Sequence, residues 1–172
     1  MGRKPFSSIM RERAKLRKGI RLLLLALPLL CCGGVCWAIA ITVTGNWADT
    51  IDASDLQGGP GSDLISTYES ASNVGIVDIS STAGNWALVI KKTDTNWHGN
   101  FHLYVKRTSD GSGSGTISGG TAYQEVTDIN QDFFSGNSDR SSINVQLKLM
   151  GVSIQVPPAI YTTKIYYTVS DQ

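Results

Sequence analysis

The sequence predicts an all-β fold, an immunoglobulin-like antiparallel β-sandwich of about seven strands. Three observations carry that prediction. Apolar and polar residues alternate with period two along most of the chain after Ile41, the alternating runs are short and separated by Gly, Ser, Asn and Asp, and no stretch of that region shows a sustained helical period.

The first element precedes the sandwich. Arg3, Lys4, Arg11, Arg13, Lys15, Arg17, Lys18 and Arg21 stand with a single acid, Glu12, and run into LLLLALPLLCCGGVCWAIA. A basic start, an apolar core and the small-x-small triplet Ala38-Ile39-Ala40 have the form of an export signal, with cleavage expected after Ala40. The alternative is an uncleaved signal-anchor helix, since the uncharged run from Leu22 to Val43 is long enough to cross a bilayer, with the basic side in the cytoplasm. Arg17-Lys18-Gly19 invites comparison with a prepilin site, but Arg21 stands where an acid belongs. The chain thus divides into residues 1–40, signal peptide or anchor, and residues 41–172, one β-domain that is extracellular or held at the cell surface.

Removing the leader changes the charge. Eight of the 15 basic and one of the 14 acidic residues precede Ile41, which leaves seven bases against thirteen acids and a net charge of −6. Nucleic acid is disfavoured as a partner, because phosphate neutralisation needs clustered Lys and Arg. Membrane contact is expected only through an uncleaved N-terminal segment. Cys31, Cys32 and Cys36 also belong to the leader, so the exported part relies on its core and not on disulfides.

In chain order the strands are read at ITVTGNW (Ile41 to Trp47), NVGIVDI (Asn73 to Ile79), GNWALVIKK (Gly84 to Lys92), NFHLYVKR (Asn100 to Arg107), TAYQEVT (Thr121 to Thr127), SINVQLKLM (Ser142 to Met150) and the run from Tyr161 to Val169. Trp86, Leu88 and Ile90 share one face, as do Phe101, Leu103 and Val105, and Ile143, Val145, Leu147 and Leu149. The apolar phase flips after Gly151, which requires a bulge or tight turn there. Pro157 and Pro158 end that ladder. The stretch SDGSGSGTISGG reads as a flexible hairpin tip or edge loop. Asp63 is placed to cap a short helix over LISTYESA, and the strand from Tyr161 is expected to close or edge a sheet.

Candidate sites are few. Asp49, Asp52 and Asp55 stand three apart, a spacing that could converge on a hard cation, but the loop lacks the Gly and terminal Glu of an EF-hand and reads as a solvated acidic loop. His98 and His102 lie on extended chain at about 13 Å, too far to share one ion. Gly111-Ser112-Gly113-Ser114-Gly115 has its serines on the wrong positions for a nucleophile elbow and no following helix for a phosphate loop. No catalytic residue, cofactor or metal is therefore predicted. Trp47 and Trp86 follow the apolar phase and are read as core, whereas Trp97, among Asn96, His98 and Asn100, is the aromatic assigned to ligand binding. Phe133-Phe134 is read as a loop anchor.

The terminal stretch Pro158-x-x-Tyr161-Thr162-x-x-Ile165-x-Tyr167-Thr168-Val169 resembles bacterial surface β-sandwich proteins of the spore coat protein U-like and fimbrial-subunit-like kind. The resemblance implies an immunoglobulin-like sandwich that is a structural or adhesive part of the cell envelope, a pilus- or coat-like subunit with no catalytic site. Its partners would be further copies of itself or other envelope proteins. The rival reading is a carbohydrate-binding module or a small secreted hydrolase. Ile41, Val43 and Trp47 are expected to pair within their own domain; in the alternative reading, cleavage frees them to exchange into a neighbouring subunit whose terminal strand offers its edge.

Overall fold

The computed structural model describes residues 38–172, and the basic and apolar leader before Ala38 lies outside them. Ala38 and Ala40 are both exposed, and Ala40 is already the first residue of a strand. Ten strands follow in order: β1 (Ala40–Thr44), β2 (Thr67–Glu69), β3 (Gly75–Ser80), β4 (Asn85–Asn96), β5 (His102–Arg107), β6 (Ile117–Gly119), β7 (Gln124–Glu125), β8 (Gln131–Asn137), β9 (Arg140–Met150) and β10 (Thr162–Asp171). There is no α-helix among the described residues, and none of their helices is long and apolar enough to cross a membrane.

The strands form two antiparallel sheets. One runs β1-β3-β9-β5-β7, with β2 pairing the end of β9, and the other runs β10-β4-β8-β6. The alternation read from sequence builds the core between them. Trp86, Leu88 and Ile90 of β4 and Val77, Ile79, Val105, Ile143 and Val145 of the facing sheet lose all or nearly all contact with water. Burial of this kind is the main driving force of the fold.

Three strands exceed the expected set, and each for a local reason. β2 and β6 have three residues each, too short to display a period. β8 is hidden by a bulge: Leu88 pairs with Phe134 and Val89 with Asp132, so Phe133 is the extra residue. Both phenylalanines then point into the core, which destroys the alternation that identifies a strand. Phe133-Phe134 is therefore strand and core, not a loop anchor.

Two loop readings are corrected. LISTYESA holds no helix; it contributes an isolated bridge at Leu64 and then β2, while the only described helix is a 3₁₀ turn at Ala53–Asp55. The glycine-rich stretch is not a free hairpin tip. It lies against the β8–β9 turn, with Ser112 bridged to Ser141, and a Cβ on Gly113 would stand 2.3 Å from the Asp139 carbonyl oxygen. The buried guanidinium of Arg140 fixes it further by donating to the carbonyls of Gly115 and Asp110, while Arg107 bonds the Gly119 carbonyl and the Asp110 carboxylate. At Gly151 the chain turns as expected, with φ at +85°, but β9 has already ended at Met150, so residues 152–156 form no strand and Pro157 and Pro158 end no ladder; Val152 is buried all the same.

Candidate functional site

β1 and β10 are outer strands of their respective sheets and lie next to each other. Between them the sandwich is not closed. Ile41 and Val43 of β1, Leu147 and Leu149 of β9, and Ile165 and Tyr167 of β10 line an apolar groove of about 1130 Å³. Its mouth is aromatic. Trp97 packs edge-on against Phe101 with centroids 5.4 Å apart, and Phe101 packs against Tyr161 at 5.0 Å. Burial alone pushes the phenol of Tyr167 above its ordinary range.

Trp97 lines this groove. Its Nε1 donates to the Phe101 carbonyl at 3.0 Å and Lys92 Nζ lies 5.5 Å from its ring. Trp47 lies beyond the end of β1, half-buried on the groove wall and not in the core; Trp86 alone of the two is core. Ile41 and Val43 pair with Ile79 and Val77 of β3 in the same chain.

The ionisable residues that drew notice are spent on local structure. Asp52 accepts from Ser54 N at 2.8 Å and Asp55 accepts from Asp52 N at 2.9 Å, a reciprocal cap, while Asp49 turns to Thr50 N. His102 Nδ1 meets Glu125 at 2.6 Å, whereas His98 Nδ1 accepts from Asn100 N and its ring packs on Phe101 and Tyr161. On the outer face of the larger sheet, Lys106 and Lys148 lie 4.3 and 3.9 Å from the ring of Tyr123. Burial, assisted by the nearby Glu69 carboxylate, pushes the Tyr123 phenol up to about 12. This is side-chain packing across a solvated sheet face.

Asp63, assigned above to a helix cap, instead ties two loops beside the groove. Its carboxylate accepts from Ile154 N at 2.9 Å and Leu64 N at 2.8 Å and from the Ser153 hydroxyl at 3.2 Å, and these bonds hold its pKa below the usual value. A carboxylate depressed by folding contributes stability that is complete above the unfolded pKa and is lost as pH falls through the lower folded value. Asp63→Asn is therefore expected to lower the urea midpoint at pH 7, and the gap from the parent should close as the pH is taken below about 4. Parallel urea titrations at pH 7 and pH 3 check this; an equal gap at both would disprove the charge-based account.

What no local reading could locate is the outer edge of β10. Gln172 N donates to Asn85 O, and Lys92, which stands opposite Ile165, sends its own N–H away from β10 to Thr127 O. In an antiparallel ladder the backbone groups alternate in direction. The odd residues Thr163, Ile165, Tyr167, Val169 and Asp171 therefore turn their N–H and C=O groups outward, where no strand pairs with them among the described residues. The remaining outer strands, β1, β2, β6 and β7, have five, three, three and two residues, while β10 has ten. Beside this edge the surface is apolar: Tyr166 is 46% exposed, Val43 40% and Ile160 83%.

No protein-family model matches this chain, and neither a curated protein nor a solved structure matches it.

Proposed function

We propose that this protein is an exported structural component of the cell envelope, an immunoglobulin-like sandwich that works by self-association through a sheet edge and not by catalysis. The observation that carries the reading is the contrast between its edges. Natural sheets guard their edges with short strands, charge, proline or bulges, because an open ladder recruits other chains. Four outer strands here are short, whereas β10 offers a long run of outward backbone groups with Lys164 and Asp171 as its only charged residues and no proline. The apolar exposure of Val43, Ile160 and Tyr166 around that edge adds surface that an assembly would cover.

Two features of the sequence support the compartment and the class. The basic and apolar leader has the form of an export signal, and Pro158 to Val169 resembles the closing strand of bacterial surface sandwiches. The absence of cysteine after Ile41 fits a domain held by its core.

Sedimentation velocity on a dilution series tests the reading. The parent protein is expected to shift from monomer to larger species as concentration rises. Tyr166→Glu, which changes one exposed side chain on the edge strand and sets a carboxylate opposite Lys91 of β4, is expected to raise the half-association concentration at least about tenfold, equivalent to about 1.4 kcal/mol, with no loss of thermal stability. A parent that stays monomeric at the highest soluble concentration would rule the reading out.

A further inference from the structure

The outward edge of β10 has a symmetry that specifies what it pairs with. Its free backbone groups belong to Thr163, Ile165, Tyr167, Val169 and Asp171, a set centred on Tyr167. A second copy related by a two-fold axis through Tyr167, perpendicular to the sheet, places Thr163 opposite the partner's Asp171, Ile165 opposite the partner's Val169, and Tyr167 opposite its own counterpart. Every outward group then finds a ladder partner. Sliding the register by two residues either way leaves an end pair unmatched, and sliding it by one would bring the apolar face of one copy beside the solvent face of the other.

We infer that the partner of β10 is the β10 strand of a second copy of this chain, paired antiparallel about Tyr167 so that the two smaller sheets become one continuous sheet. The inference rests on the self-association reading above and names its geometry. The side chains agree with it. On the outer face Tyr166 stands opposite the partner's Thr168, an aromatic–β-branched pair of the favourable kind, and Lys164 stands opposite the partner's Ser170. No two like charges face each other. On the inner face Tyr167, Ile165 and Val169 of the two copies continue one apolar surface, so the grooves of the two copies meet across the axis.

β1 is the costlier occupant because of its own bonds. β1 would have to leave β3, where five of its residues are in register from Ala40 opposite Ser80 to Thr44 opposite Ile76. β10 can pair with its counterpart without breaking any bond within the chain. The interface is isologous, so it closes at two copies and does not propagate through this edge.

Disulfide trapping tests the register. Residues 166 and 168 of opposite copies would form a pair without mutual backbone bonds, with Cα atoms about 4.5 Å apart, inside the range a disulfide spans. Residue 166 lies about 7–8 Å from its own counterpart on the diagonal, at or beyond that range. In full-length chains with Cys31, Cys32 and Cys36 changed to serine, Tyr166→Cys and Thr168→Cys are prepared separately, mixed and oxidised. The expected result is a covalent dimer in the mixture, at least about tenfold more abundant than in either variant alone. Efficient trapping by Tyr166→Cys alone would overturn this register. No trapping in the mixture while sedimentation still shows dimers would overturn the β10–β10 pairing and leave self-association standing. Monomers in sedimentation together with no trapping would overturn both.

Discussion

Trp86→Ala is expected to remove about 3–5 kcal/mol of stability, the range for truncating a large buried aromatic, out of the roughly 5–15 kcal/mol that a domain of ordinary stability possesses. Trp86 has no exposed surface, and its ring meets Phe134 edge-on at 6.1 Å. The indole also seats β8 closely: a Cβ on Gly136 would come within 2.6 Å of its Cζ2 atom. Its Nε1 donates to the Ser138 carbonyl at 2.9 Å, fastening the β8–β9 turn to the core. Trp86→Phe keeps most of the apolar volume but leaves that carbonyl without its donor, so a loss intermediate between parent and Trp86→Ala is expected. Urea titrations followed by circular dichroism separate these outcomes, and a loss below about 1 kcal/mol for Trp86→Ala would contradict its place at the centre of the core.

The second large effect is expected at Arg140. Its side chain is 8% exposed, and it holds the carbonyls of Gly115 and Asp110 from the strand that begins the β9 ladder. Arg140→Ala leaves polar groups beneath the glycine-rich loop without their donors, at about 1–3 kcal/mol for each group that stays buried and unsatisfied. Glycine also makes the loop entropically costly to hold. The loop should therefore detach before the sandwich unfolds. Limited proteolysis is expected to cut Arg140→Ala between Ser109 and Gly120 under conditions that leave the parent intact. Equal resistance would show that the Ser112–Ser141 bridge and Arg107 suffice.

The difference between what could be read in the sequence and what could not follows from the range of each interaction. β4, β5 and β9 were legible because each buries one face against the opposite sheet, and a buried face must repeat every second residue. Gly151 was legible because a phase change on a half-buried strand has few backbone solutions. β8 was not, since its bulge puts Phe133 and Phe134 on one face. Nor was the placement of the glycine-rich loop, which depends on two arginines distant in sequence from most of the carbonyls they hold. Asp63 has the residue type of a helix cap, yet its longest-range partners, Ser153 and Ile154, become neighbours only in the folded chain.

The groove illustrates the same limit. Trp97 could be singled out as an unusual aromatic, but its bond to Phe101 and its place beside Lys92 depend on how the β4–β5 turn folds back. Sequence alternation assigned Ile165 and Tyr167 to the inner face of the terminal strand. The direction in which its backbone groups point follows instead from pairing with β4, and on that direction the functional reading depends.

Amide hydrogen exchange resolved to single residues of β10, measured on dilute and concentrated protein, tests the central claim most directly. In dilute protein the outward amides of Thr163, Ile165, Tyr167 and Val169 should exchange quickly, while those of Lys164, Tyr166 and Thr168, which face β4, stay protected. At high concentration the outward amides should become protected together, with amides elsewhere unchanged. Outward amides that exchange quickly at every concentration, in protein that nevertheless associates, would place the interface elsewhere and contradict the account.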